Sequence, residues 1–553
     1  MPKINNYLIE EFKKALKALD YQEEENIFFE FPKNISFGDL STNIACQISS
    51  KVKKAPKEIA EIIVKKLGKL KYIQEIRAEK NGFINLFFNT EAFKEYYAEV
   101  LSNKEHLYKK EPNNIWCFVE IVSANPTGLL HIGHARNGIF CDTLANLLEY
   151  GGYYVHREYL INDMGNQIKE LISSVWNKYK AKIIGTYYSV ENMNLKYDSP
   201  EIDECATYLI SKHQNKWLQD NDIFKSKLYS ELESEVIKYF LNEIEKDLNA
   251  YQIGVNVWKS ERSFVNDSTI DDLLNSLREH INLKDGAVWF RAGDFLENCK
   301  DEVLVKKDGL HTYFCQDLIY HLHKLRMIGE KGKIINVLGA DHYGHVDRLK
   351  SFLVFLEREE QVKFICMQLV KLIEHSTAVK ISKRDSKIIY LRSLSEFMSY
   401  EEVRWFLISQ HTDSPLEIEL KKLKMQDYNN PAYYVLYAYS RISQLLRKHG
   451  VPKDYSENIT FDTIKEGKEK ELLNTLLAWE MTLNSAIETL SPHKIPQYLY
   501  KLAKEFHSYY EETQLLNKEK GTWLNDRLAI LNAVQYTIKS GLSIMKITPK
   551  SVL

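Results

Sequence analysis

Residues 114–152 read NIWCFVEIVSANPTGLLHIGHARNGIFCDTLANLLEYGG, and their order decides the fold. NIWCFVEIV (114–122) is almost continuously apolar, as a strand buried on both faces of a parallel sheet must be. After a polar turn, Ile139, Phe140, Leu144, Leu147 and Leu148 fall at helical spacing, and Gly151-Gly152 closes the helix. YYVHREYLI (153–161) then reads as a second strand. Strand, helix and strand in this order make a βαβ unit with a right-handed crossover. In such open sheets ligands bind beyond the carboxyl ends of the strands. A helix N-terminus there offers free N–H groups and a positive dipole to phosphates. His131-Ile132-Gly133-His134 occupies that place. Two histidines three apart share a helix face and can address one anion, and Gly133 lets a flat base approach the backbone. The competing reading is a pair of helix-start histidines with no ligand.

The chain changes character on either side. Before it, Pro56 opens the helix KEIAEIIVKKL, Gly68 stops it, and FINLFF after Gly82 reads as a strand. The polar KKEPNN (109–114) marks a boundary. After it, residues 170–290 read as a long, mostly helical insertion. Strands return at EVLVKKDG (302–309) and KIINVLGA (333–340), with a helix from Asp347. From about 398 the chain is expected to be almost wholly helical, with NNPAYYVLYAYSRISQLLRKHG carrying an Asn cap, Pro431 in its first turn and Gly450 as stop.

Composition bounds the class. The 553 residues, 44% hydrophobic and 27% charged, suit several folded domains and exclude collagen-like or wholly disordered chains. Lys+Arg 74 against Asp+Glu 76 gives a net charge of −2, so any basic surface for a nucleic acid must be local. The 7 cysteines are scattered and never in a C-x-x-C pair, which argues against disulfides and against zinc. No run approaches the roughly 18 apolar residues of a membrane span, and the amphipathic N-terminus (Leu8, Phe12, Leu16, Leu19) lacks a signal-peptide core. A cytoplasmic protein is expected.

A second motif, Lys380-Ile381-Ser382-Lys383-Arg384, follows the apolar run FICMQLVKLI. A lysine loop can close on a triphosphate and neutralise charge at transfer; a solvated basic turn is the competing reading. Gly339-Ala340-Asp341-His342 ends another expected strand. Gly339 would permit close approach of adenosine and Asp341 could accept from a ribose hydroxyl, or serve only as an N-cap.

Together the two motifs resemble the signatures of class I aminoacyl-tRNA synthetases, and the likeness to arginyl-tRNA synthetases runs nearly end to end. SANPTGLLHIGHARN (123–137), INDMGNQI (161–168), KSE (259–261), DEVLVKKDG (301–309) with Tyr313 and Asp317, and NNPAYYVLYAYSRI (429–442) follow that family's pattern. FGDLSTNIA (37–45), PKEIAEII (56–63) and GFINLFF (82–88) resemble its additional N-terminal domain. Ile381 stands where the family usually has Met, and Asp385-Ser386 where a Gly often follows.

The resemblance implies an α/β multidomain fold: an N-terminal α+β tRNA-contacting domain (1–112), a Rossmann-type catalytic domain (113–374) with a helical insertion at about 170–290, a signature-loop region (375–397), and an all-α anticodon-binding bundle (398–553). It implies a ligase that joins L-arginine to tRNA with ATP as substrate and Mg²⁺, no zinc, no DNA and no membrane, working as a monomer. His131, His134, Lys380 and Lys383 are the implied catalytic residues. Glu120, Tyr313 and Asp317 would hold the arginine side chain, with Asn125 and His131 at its amino and carboxylate end and His342 beside it. Gly128, Gly133, His134, Gly339, Asp341 and Lys383 would contact ATP. Tyr433, Tyr437 and Arg441 would contact tRNA, while at least half of the tyrosines in 433–439 are expected in the helix core. Carboxylates suit this substrate, because a guanidinium is planar, always charged and purely a donor. A glutamyl enzyme would need basic residues at 120 and 317, and an inactive RNA-binding relative would have lost the phosphate-binding residues.

Overall fold

The computed structural model describes every residue except 1–2, 18, 20–26, 33–36, 186–194, 219–221, 341–342, 375–376, 379–388, 450–458, 463, 465–466, 513–521 and 553. Two compact units result: Pro112–Leu423, and Met1–Glu111 together with Lys424–Leu553.

The first of these is built on a parallel sheet. Its five strands lie in the order Val362–Met367, Lys333–Gly339, Trp116–Glu120, Tyr154–Ile161, Val257–Ser260. Chain order reverses between Trp116–Glu120 and Lys333–Gly339, the switch point at which doubly wound sheets open a crevice. Cys117, Phe118 and Val119 are fully buried, as the unbroken apolar run required. The helix Ile132–Tyr150 follows the first strand. Its Asp142 accepts from Arg404 Nη2 at 2.6 Å and from Gly254 N at 3.0 Å, with both charged side chains fully buried. A buried pair this well bonded fixes register more than it adds stability.

The 170–290 segment is less uniformly helical than expected. Asn166–Ile184, Pro200–His213 and Tyr229–Ala250 are helices with their own core, including Tyr179, Trp217 and Phe240. Val257–Ser260 instead adds the fifth strand to the parallel sheet. It is four residues long and half-buried throughout, so it carries no long apolar signal. Ile281–Lys284 and Ala287–Phe290 form a hairpin across Asp285 and Gly286, both at positive φ, the geometry an Asp-Gly turn favours. Glu302–Val305 pairs with that hairpin in a separate antiparallel sheet. Leu416–Glu419 is likewise a strand, beside Val370–Glu374, in a stretch expected to be helical.

In the other unit, the helix Pro56–Leu67 has Pro at its start and Gly68 at φ 59° as its stop. Ile84–Phe88 is the centre of a three-stranded antiparallel sheet. The helices Pro431–His449, Lys468–Glu488, Lys494–Glu512 and Thr522–Ile544 pack with this N-terminal part. Tyr96 Oη and Thr537 Oγ1 share a buried hydrogen bond at 2.6 Å, and Asn474 Nδ2 donates to Asp39 at 2.5 Å.

Candidate active site

The histidine turn is a self-contained cap. His131 has extended backbone (φ −104°, ψ 173°) and is the N-cap of the helix Ile132–Tyr150. Its Nδ1 accepts from Gly133 N at 3.0 Å and His134 N at 3.4 Å, while His131 N donates to His134 Nδ1 at 3.3 Å. Ile132 N donates to Ile389 O. The first N–H groups of the helix are therefore already used, contrary to the expectation that they stay free for phosphate. The histidine rings replace them: with Nδ1 an acceptor in both, each ring carries its proton on Nε2 as a donor. The rings stack at 3.7 Å. Burial lowers His131, and burial together with His131 lowers His134 to about 3, so both are neutral donors near pH 7. Gly133 is needed for the cap itself. A Cβ there would lie 2.9 Å from His131 Cε1 and displace the ring.

The turn leading into this cap is strained and held. Val122 (φ 61°) and Ser123 (φ 48°) adopt left-handed backbone, which costs about 1–3 kcal/mol each. Val122 N donates to Asn137 Oδ1 at 3.1 Å, Leu160 N to Ser123 Oγ at 3.0 Å, and Tyr159 Oη to Ala124 O at 2.7 Å. At about 1 kcal/mol net apiece, these bonds offset much of the strain. Asn137 Nδ2 also donates to Val337 O at 3.0 Å, so one side chain straps both strands across the switch point.

Beyond these strand ends lies a cavity of about 510 Å³, lined among others by Glu120, Tyr313, Asp317, Tyr320, His321, Lys324 and Asn336. Glu120, Tyr313 and Asp317, paired from sequence, therefore meet. Glu120 ends the first strand, while Tyr313 and Asp317 lie one turn apart on the helix Tyr313–Ile328, which Thr312 caps. Tyr313 stands at the rim, 64% exposed. Burial pushes Glu120 up, but Lys324 beside it wins and holds the carboxyl below its ordinary value. Lys324, His321, Asn336 and Asn137 were not found from sequence. Asp317, His321 and Lys324 share one face of the helix Tyr313–Ile328 at helical spacing, but Gln316, His323 and Arg326 make that helix polar on other faces too, so the spacing alone does not single them out.

Other expected residues lie elsewhere. Asn125 is bonded to Asn162 at 2.6 Å and Gln167 at 2.7 Å, linking the signature turn to INDMGNQI. Gly128 and Gly133 lie on the turn and Gly339 ends its strand. Asp341, His342, Lys380 and Lys383 lie outside the described residues. The segment after the lysine motif is anchored to the histidine turn, since Leu391 N donates to Leu130 O at 2.7 Å. In the other unit, Tyr433 and Tyr437 stack at 5.9 Å, Arg441 donates to Tyr437 Oη at 3.1 Å and lies over Tyr510 at 3.8 Å. Tyr433, Tyr434, Tyr437 and Tyr439 are half-buried, not core as expected of at least half of them; Ala432, Val435, Ala438 and Ile442 fill that role.

Comparison with known proteins bears directly on this site. The arginine–tRNA ligase of Ureaplasma parvum serovar 3 is 33% identical over 563 aligned positions, covering 99% of this chain and 99% of that one. This chain belongs to the arginyl-tRNA synthetases. The Bacillus subtilis arginine–tRNA ligase is 34% identical over 565 positions, covering 99% and 98%. Family models match in order: the arginyl tRNA synthetase N terminal domain (6–88), the class I (R) tRNA synthetase catalytic domain (97–354) and the DALR anticodon binding domain (435–553). The solved arginyl-tRNA synthetase of Thermus thermophilus, 18% identical, shares the fold with a TM-score of 0.76 over 100% of both chains. In this synthetase no described helix is long and apolar enough to cross a membrane.

Proposed function

We propose that this chain charges tRNA with arginine by the following chemistry. A carboxylate oxygen of arginine attacks the α-phosphorus of ATP, the bond to the β-phosphate breaks, and arginyl-adenylate and pyrophosphate form. A hydroxyl of the tRNA terminal ribose then attacks the arginyl carbonyl and AMP leaves. The observation that carries this reading is one pocket, at the switch point, whose lining brings together two carboxylates and a tyrosine, Glu120, Asp317 and Tyr313, along with Lys324 and Arg348. Two carboxylates match a guanidinium and would repel an acidic substrate. Asn125 and His131 take the amino and carboxylate end, with His342 alongside. The Nε2–H groups of His131 and His134 donate to phosphate oxygens, and being neutral they do so without depending on pH near 7.

Gly128, Gly133, Gly339 and Asp341 contact the nucleotide, and Lys380 and Lys383 neutralise the triphosphate. Mg²⁺ arrives with ATP; among the described residues no group of three His, Cys, Asp or Glu forms a metal cage. Tyr433, Tyr437 and Arg441 present stacking faces and a cation to unpaired bases of the tRNA. Residues 1–112 contact tRNA, 113–374 catalyse, 375–397 carry the lysine loop and 398–553 read the anticodon. The protein works as a monomer in the cytoplasm. Charging of total tRNA with each of the twenty amino acids tests the assignment: product with arginine alone is expected, and charging with another amino acid instead refutes it.

The site also has a built-in pH dependence. Burial, followed by Asp317 and Asp163, raises the Glu261 carboxyl to about 7. Below that pH Glu261 is neutral; above it, a third carboxylate charge within electrostatic reach of Asp317 joins those of Glu120 and Asp317 and attracts the arginine cation. The KM for arginine is therefore expected to fall as pH rises through about 7. Glu261→Gln should remove that inflection, and its survival in the variant would refute the attribution.

A further inference from the structure

The arginine pocket contains a cation of its own. Lys324 Nζ donates to Glu120 Oε2 at 2.5 Å and to Asn336 Oδ1 at 2.8 Å, and lies 4.0 Å from the Tyr320 ring centroid. The Asn336 amide is itself oriented. Its Nδ2 donates to His321 Nε2 at 2.8 Å, and His321 Nδ1–H donates to Asp317 O at 2.8 Å. The donors thus all point one way, from Lys324 to Asn336 to His321 to the backbone of Asp317, with one branch to Glu120. This order needs a neutral His321, and burial, aided by Lys324, holds that imidazole down to about 4.

The burial of the pair is lopsided. The Lys324 side chain is 1% exposed and that of Glu120 22%. Here the ammonium is sealed behind the carboxylate, two of its three donors are committed, and Glu120, which also takes a hydrogen bond from the Ser123 side chain, lines the cavity.

We propose that Lys324 is a positioning residue for arginine: it fixes one oxygen of Glu120 from behind and keeps the other charged and turned toward the guanidinium. This rests on Glu120 being an arginine ligand. Without the ammonium, a carboxyl in that pocket takes up a proton readily, and arginine must displace it to bind. The titratable and charged groups around Glu120 are Lys324, His321, Tyr320 and Asp317 from the helix Tyr313–Ile328, and Cys141 from the helix Ile132–Tyr150, with Glu158 bonded to Tyr320. Burial keeps His321 far below neutrality and pushes Tyr320 and Cys141 well above it. Glu261 does titrate near 7, but in every variant alike, so it cancels in a ratio.

The test measures the KM for arginine in tRNA charging, from about pH 6.5 to 8.5, for the wild type, Glu120→Gln and Lys324→Met. The KM ratio of Lys324→Met to wild type is expected to rise toward low pH, by up to about tenfold per unit, the limit for one proton. The kcat should change far less. Glu120→Gln is expected to raise KM by a factor that does not vary with pH. A raised KM in Glu120→Gln with a pH-independent ratio in Lys324→Met overturns the proposal and leaves Glu120 as a ligand. An unchanged KM in Glu120→Gln overturns the role of Glu120 itself. Should Lys324→Met not fold, Lys324→Gln, which keeps a donor for Glu120 and Asn336, is read by the same ratio.

Discussion

Replacing His134 with alanine is expected to slow arginine-dependent aminoacylation by about 10²–10³-fold, the usual cost of one donor to developing transition-state charge. The geometry explains why so much rests on a side chain at a helix start. Gly133 N and His134 N are both held by the His131 imidazole, and Ile132 N by Ile389 O, so these N–H groups of the first turn are not available in its place. The His134 ring also accepts from His131 N, so its loss frees that N–H and loosens the stacked partner. The helix should survive, because the His131 cap remains and a lost capping bond costs about 1 kcal/mol. Single-turnover adenylate formation should therefore fall while the circular dichroism spectrum and Tm stay close to wild type. A rate within twofold of wild type would refute the role given to this ring.

Asp317→Asn is expected to act on arginine and not on ATP. Asn keeps the shape of the side chain but removes the charge facing a guanidinium. Deleting one partner of a desolvated charge pair costs about 2–4 kcal/mol, roughly a 30- to 700-fold rise in the KM for arginine. The KM for ATP should hardly move, since the nucleotide is assigned to the histidine turn and the end of the strand Lys333–Gly339. Equal changes in both constants would mean that Asp317 shapes the pocket as a whole and does not bind the side chain of the amino acid.

Much of this site was legible in the sequence, for a physical reason. The buried strand, polar turn and capped helix of 114–152 are local patterns, and the rim of a parallel sheet gathers residues from the strand ends. The family resemblance paired Glu120 with Asp317 across nearly two hundred residues, and the shared rim of the sheet makes that pairing physically sensible. The remainder was hidden where a residue's meaning depends on its partner. Asn137 reads as one more polar residue on a helix, yet it straps Val122 to Val337. Lys324 reads as an ordinary helical lysine, and only the strand Trp116–Glu120 beside it makes it a buried counter-ion. Val257–Ser260 is too short, at four residues, for its two apolar side chains to stand out as a strand in the sequence. The histidine turn misled in one respect: its N–H groups looked available, and the capping box that uses them depends on a ring orientation that spacing does not encode.

The central claim is that the pocket at the switch point holds the arginine side chain between Glu120 and Asp317. A crystal structure with arginine bound tests it most directly. Guanidinium nitrogens are expected within about 3 Å of carboxylate oxygens of both residues, with Lys324 still bonded to Glu120 from behind. An arginine bound with its guanidinium outside this pocket, or touching neither carboxylate, would contradict the account.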